Sequence, residues 1–281
     1  MTAPALARNR SGRRYMIPDP APDGPPIECP SVTTIINNIN KPALVNWAAL
    51  EVAKFAATEK EAWTKLEETA AIDVLKRAPY RNSKGKMDIG SAVHIAIDAH
   101  LKDRTPAGVQ EAPEIGDLDL LPWIAGALRF LDDHVDRILR SEVTFVNLTY
   151  RYAGTGDLVA RLKDGRVAVI DWKTGKRLYP EVALQLAAYA NNEFCVEADG
   201  SRYNLAPITT AVGVHLDGEA GYTAQPVELS DQLFKTFVAL RTLQKWKDNF
   251  EDTALGEPLA VEDRGDVTEW LTSKGVQPAA S

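Results

Sequence analysis

Three residues near the middle of this chain, Asp157, Asp171 and Lys173, have the types and spacing that phosphodiester hydrolysis requires. Asp171-Trp172-Lys173 follows the apolar run Val167-Ala168-Val169-Ile170, which reads as a buried strand. Side chains two apart on a strand share a face, so Asp171 and Lys173 point together and Trp172 points away. Asp164-Gly165 is a hairpin signal that folds the preceding segment, 157–162, back along this strand. Pairing about that turn brings Asp157 beside Asp171 and Lys173. An Asp-x-Lys triplet alone is most often a surface ion pair; its place at the end of an apolar strand, opposite a second acid, gives it chemical meaning. Hard Mg²⁺ takes one or two carboxylates and keeps waters for reaction. It lowers the pKa of a bound water and offsets charge on the phosphate, while a neighbouring lysine can orient or deprotonate that water.

The elements that must hold these residues follow from periodicity. Residues 142–152 alternate and are β-branched and aromatic, as a strand should be, and a turn is expected at 153–156. Strands are predicted over 157–162 and 166–172, then a helix over 179–194 with Pro180 at its start. Gln185 and Tyr189 share one face of that helix, where both could reach phosphate or sugar oxygens. A second strand pair, 209–216 and 222–229, precedes a helix over 230–250 with Ser230 as N-cap. Upstream, apolar residues at three- and four-residue spacing from Leu44 to Phe55 predict a helix after Pro42, and a more polar one covers about 59–77. Residues 79–86 read as a loop, 87–101 as a helix with the stripe Ile89, Val93, Ile97 and Leu101, 104–116 as a loop and 118–140 as a helix.

These elements predict an α/β (α+β) fold, a mixed central sheet flanked by helices with a helical N-terminal region. Residues 1–30, rich in Pro, Ala and Arg, read as a flexible tail; Arg8, Arg10, Arg13 and Arg14 would make it a basic arm for nucleic acid. One domain is expected over 31–250 and a loose tail over 251–281.

Composition narrows the class. The chain has 281 residues, 45% hydrophobic and 25% charged, enough for a sizeable core. No apolar run spans a membrane and no secretory leader is visible, so a cytoplasmic setting without membrane contact is expected. Two cysteines, Cys29 and Cys195, cannot supply a disulfide framework or a four-cysteine metal site. A net charge of −7 is unusual for a nucleic-acid enzyme, although bound cations invert the local potential of a carboxylate site. The run through Lys176 lacks the upstream glycine of a phosphate-binding loop, since position 170 is Ile, and Gly154-Thr155-Gly156 lacks the third glycine of a dinucleotide fingerprint.

Taken in order, Gly154-Thr155-Gly156-Asp157, then Asp171-Trp172-Lys173-Thr174-Gly175, then Gln185 through Tyr189 resemble the GxxD, DxK-T-G and QxxxY motifs of the PD-(D/E)XK nuclease superfamily, in its RecB-like, phage-type exonuclease branch. Gly90 through His94 matches that branch's upstream helical histidine, and the resemblance covers about residues 87–195. It implies a restriction-endonuclease-like core and Mg²⁺ or Mn²⁺ bound by His94, Asp157, Asp171 and the Trp172 backbone carbonyl. Lys173 would act on the nucleophilic water, with Gln185 and Tyr189 completing the catalytic set. Asp98, one turn after His94, would orient the imidazole, and Glu142 matches a family acid only loosely. No iron–sulfur cluster is expected. The implied activity is exonucleolytic cleavage of DNA, at double-stranded ends or on single strands, in recombination, repair or phage DNA metabolism. A structure-selective endonuclease on the same core is the alternative, or a catalytically inactive nucleic-acid-binding or recombination partner protein. A recombination or single-strand-binding protein is a further expected partner besides DNA.

Overall fold

The computed structural model describes residues 6–9, 12–19, 21, 24–81, 83–102, 118–197, 199–257, 259 and 267–276. Its centre is a mixed seven-stranded sheet in the order β10-β9-β6-β5-β4-β7-β8, flanked by helices. The strands are β4 Val135–Asn147, β5 Tyr152–Leu162, β6 Val167–Lys173, β7 Phe194–Val196, β8 Arg202–Tyr203, β9 Thr210–Leu216 and β10 Tyr222–Val227. Strands β6 and β9 are parallel neighbours in this sheet, and helix α6, Glu181–Ala190, lies in the crossover between them. The Asp164-Gly165 turn joins β5 to β6 in the expected register, with Leu158 opposite Ile170, and Gly165 takes the left-handed φ of 88° that the turn requires.

Each face of the sheet carries its own core. Helices α4, Ser83–Lys102, and α5, Leu121–His134, bury Val93, Ile97, Leu101 and Phe130 against Leu158, Ile170 and Trp172. On the other face α1, Val32–Ile36, α6 and the buried Phe237 of α7, Asp231–Asn249, pack on Val143, Phe145, Val159 and Val169. Capping follows the expected chemistry: Ser31 Oγ accepts from Thr34 N at 3.0 Å, and Ser230 Oγ accepts from Leu233 N at 3.3 Å. Helices α2, Pro42–Thr58, and α3, Glu68–Arg77, complete the N-terminal region.

Several sequence expectations are corrected. Residues 12–17 and 27–30 are not a tail: β1 Leu6–Asn9, β2 Gly12–Ile17 and β3 Ile27–Pro30 form a three-stranded antiparallel sheet. Tyr15, Ile17 and Cys29 are buried there with Val146, Ala153 and Val196, an alternation that the prolines around it hid. Arg14 belongs to this packing and not to a nucleic-acid arm, being 2% exposed and 3.3 Å from Glu28. Arg10 and the side chain of Arg8 lie outside the described residues. The helix expected over 118–140 stops at His134, because Val135 is already extended and starts β4. The helix expected to start at 87 begins at Ser83, and that expected to reach 194 ends at Ala190, before β7. The loop expected over 104–116 lies outside the described residues. The boundary at 250 also moves, for the chain divides into units 1–244 and 245–281. The second unit, expected to be a loose tail, contains helix α8, Val267–Ser273. No helix among the described residues is long and apolar enough to cross a membrane.

Candidate active site

The turn expected at 153–156 actually lies at 148–151, and Gly154 and Gly156 sit inside β5. Asn147 and Glu193 fix that turn: Asn147 Oδ1 accepts from Tyr150 N, and the Glu193 carboxylate accepts from Leu148 N and Thr149 N. The two glycines serve close approach instead of a turn. A Cβ at Gly154 would lie 2.8 Å from the Tyr189 ring, and one at Gly156 would lie 2.7 Å from Phe145 and 3.1 Å from Tyr189. Tyr189 can therefore lie flat on β5, stacked on Phe145 with centroids 5.0 Å apart. Gly156→Ala is expected to cost about 2 kcal/mol through overpacking and to displace Tyr189. Urea unfolding measures that cost.

From that ring a hydrogen-bond chain reaches the acid. Tyr189 O–H donates to Thr155 O at 2.8 Å, and Gln185 Nε2 donates to Tyr189 Oη at 3.1 Å and to Asp171 Oδ1 at 2.7 Å. Tyr189 is 1% exposed and its hydroxyl is engaged on both sides. It cannot contact a phosphate, contrary to the sequence expectation, and is a positioning residue for Gln185. Burial pushes its hydroxyl far above the ordinary range, which keeps it a donor.

Asp171 is 2% exposed, one oxygen held by Gln185 and the other ion-paired with Lys173. Burial drives its pKa to about 6; the Lys173 charge opposes that rise and the Asp157 charge adds to it. Burial alone would lower Lys173, but Asp171 and Asp157 outweigh it and raise its pKa, so it stands as an ammonium. Its side chain is 32% exposed, at the open side of the pair. Such a group donates hydrogen bonds and charge; it is not poised as a base.

Asp157 connects both layers. Its Oδ2 accepts the Trp172 N–H at 2.7 Å, locking β5 to the end of β6, and its Oδ1 lies 3.0 Å from His94 Nδ1 on α4. Burial would lower the His94 pKa, but the hydrogen bond and charge of Asp157, with Asp171, raise it. Asp157 faces α4 by ordinary alternation from Gly156, and the alternation slips just after it. Gly156 lies under Tyr189 on one face, yet Leu158, two residues on, packs into the opposite core. Opposite the slip is Glu142, between the pairs Ser141–Leu158 and Val143–Gly156, with a left-handed φ of 49°. For a residue with a Cβ this conformation costs on the order of 1 kcal/mol.

The consequence is convergence. A ring nitrogen of His94 and carboxylate oxygens of Glu142 and Asp157 all lie within 4.8 Å of one another. The loose match of Glu142 to a family acid becomes a place in this cluster only through its position opposite Asp157, which spacing along one strand does not carry. Asp98 is not among the converging donors. An imidazole with hard carboxylates suits Mg²⁺ and, better, Mn²⁺, so the residues present fit the expected cation. No protein-family model and no curated protein matches the chain.

Proposed function

We propose that this chain is a Mg²⁺- or Mn²⁺-dependent DNA nuclease of the PD-(D/E)XK superfamily, RecB-like and without an iron–sulfur cluster, acting as an exonuclease in recombination, repair or phage DNA metabolism. The observation that carries the reading is the meeting of Asp157, Asp171 and Lys173 at one end of the β5–β6 hairpin, with His94 and Glu142 beside them. The antiparallel β4–β5–β6 meander, followed by α6 and a strand parallel to β6, supports a restriction-endonuclease-like core.

Asp157 and Asp171, with His94 and Glu142, would hold the cation, which supplies Lewis-acid activation of water and neutralises phosphate charge. Gln185 fixes one oxygen of Asp171, leaving the carboxylate a single orientation. Lys173 donates to the attacking water or a phosphate oxygen from the solvent side, its charge sustained by the two acids. Hydrophobic packing of Trp172 and Leu158 below the hairpin keeps the acids from shifting as charge accumulates.

End-labelled linear DNA and closed circular DNA, incubated with Mg²⁺, Mn²⁺ or EDTA, test the reading. Metal-dependent loss of the linear form alone is expected. Nicking of circles would replace exonuclease by structure-selective endonuclease on the same core. Absence of cleavage of any DNA with either metal would overturn the proposal.

A further inference from the structure

Immediately after Lys173, residues 174–180 join β6 to α6 and carry a group of side chains the chemistry above does not use. Lys176 and Arg177 are exposed, and Tyr179 is 45% exposed with the Arg177 guanidinium 5.0 Å from its ring centroid. Neither cation has an ion-pair partner among the described residues, in a chain whose net charge is −7. The loop is held in place, since the Gly175 carbonyl accepts from His215 Nε2 at 2.5 Å on β9.

Behind Tyr179 opens a cavity of about 440 Å³, walled by Tyr179, Val182, Pro226 and Leu233, with Gln225 and Glu228 as polar groups. Its floor includes Gly213, the β9 residue paired with Asp171, where a Cβ would lie tightly, 3.2 Å, against Val182. Paired residues share a sheet face, so the cavity lies on the same face as the Asp171 carboxylate and one strand away. Val182, one turn before Gln185 on α6, stands between them.

We propose that this loop and cavity form a subsite for one unpaired nucleotide of the substrate strand. Lys176 and Arg177 take the flanking phosphates, and the base enters the cavity against the Tyr179 ring. An aromatic face accepts any base without reading its edge, and a cation pair fixes the backbone beside it. The apolar walls suit a base removed from its stack, and Gln225 can hydrogen-bond its edge. The Glu228 carboxylate on the cavity lining disfavours a phosphate there, which leaves the phosphates to Lys176 and Arg177. The inference rests on the nuclease reading for the identity of the polymer, and it implies a preference for strands with at least one unpaired end nucleotide.

Binding in EDTA separates this inference from the catalytic one. Fluorescence anisotropy is measured with a single-stranded 20-mer and with a blunt duplex of equal length, and a 2-aminopurine end nucleotide reports stacking. Tyr179→Ala should weaken single-strand binding by about tenfold, abolish the 2-aminopurine quench and leave blunt-duplex binding nearly unchanged. Tyr179→Phe should behave as wild type, and Arg177→Ala should lower affinity without abolishing the quench. Equal losses on both DNAs, or no loss on either, would overturn the subsite while leaving the nuclease reading standing. Wild-type protein that binds neither DNA would count against the nuclease reading itself. Self-association that disappears in Tyr179→Ala would show a second copy of the chain in the cavity and overturn the proposal.

Discussion

Lys173→Met should abolish cleavage, by a factor on the order of a thousand, and should also destabilise the metal-free protein by about 2 kcal/mol at pH 8. The second effect follows from burial. Asp171 is nearly inaccessible, and Lys173 is the cation ion-paired with it. Removing that ammonium leaves a buried carboxylate without its countercharge, and the partial exposure of Lys173 tempers the cost. The sign with pH is fixed. Asp171 already has a folded-state pKa near 6, above its unfolded value, and loss of Lys173 raises it further. The fold then binds the proton more tightly than the unfolded chain, so stability falls as pH rises from the unfolded value through the folded one. The cost of Lys173→Met should accordingly be full at pH 8 and shrink by pH 5. Adding Asp171→Asn should restore much of the stability and none of the activity. Urea unfolding in EDTA at both pH values, with single-turnover cleavage, measures all three effects. A stability loss independent of pH, or a double variant no more stable than the single one, would show that the pair is not the buried ionic unit described here.

Why the hairpin was legible and its surroundings were not has a physical basis. Asp171, Lys173 and the Asp164-Gly165 turn obey local rules: an apolar run, a period of two and a residue pair suited to positive φ. Those rules place Asp157 opposite the end of β6 without tertiary information. Gln185 and Tyr189 were found by helical spacing, but the role of Tyr189 depends on what lies beneath it. Gly154 and Gly156 illustrate the limit, because a glycine required for close ring packing looks the same as one required for a turn. The N-terminal sheet was missed for another reason. Its strands are 4 to 6 residues long and sit among prolines, and their pairing joins residues such as Tyr15 and Cys29 across an intervening segment. Glu142 was least legible of all. Its meeting with His94 depends on its place opposite Asp157 on β5 and on the packing of α4 over that end of the sheet, which are properties of paired and packed elements.

The same cluster should make stability depend on metal and pH together. Saturating Mn²⁺ is expected to raise the melting temperature at pH 8 by roughly 5 °C or more, since a ligand at about a hundred times its Kd adds about 2.7 kcal/mol to a domain of this size. By pH 5 the shift should nearly vanish. Metal must displace the proton from Asp171, whose carboxyl binds it up to about pH 6, and from His94, whose pKa is raised above its ordinary value. In the metal-free fold both groups act in one direction. Asp171 contributes a penalty that grows as pH rises through its folded value, and the favourable contribution of protonated His94 is lost as pH rises through its own. Alkaline pH thus weakens the empty site while favouring the occupied one. Glu142 gives the sharper test, because its left-handed backbone and its carboxylate make opposite demands. Glu142→Gly should stabilise the metal-free protein by about 1 kcal/mol by relieving the φ of 49°. It should also lower Mn²⁺ affinity by about tenfold or more, at least the loss that follows removal of an outer-sphere partner. Glu142→Gln should share the affinity loss without the gain in stability. Calorimetric titration with Mn²⁺ and unfolding in EDTA read the two effects separately. Unchanged affinity in both variants would leave Glu142 a strained residue with no part in holding the cation.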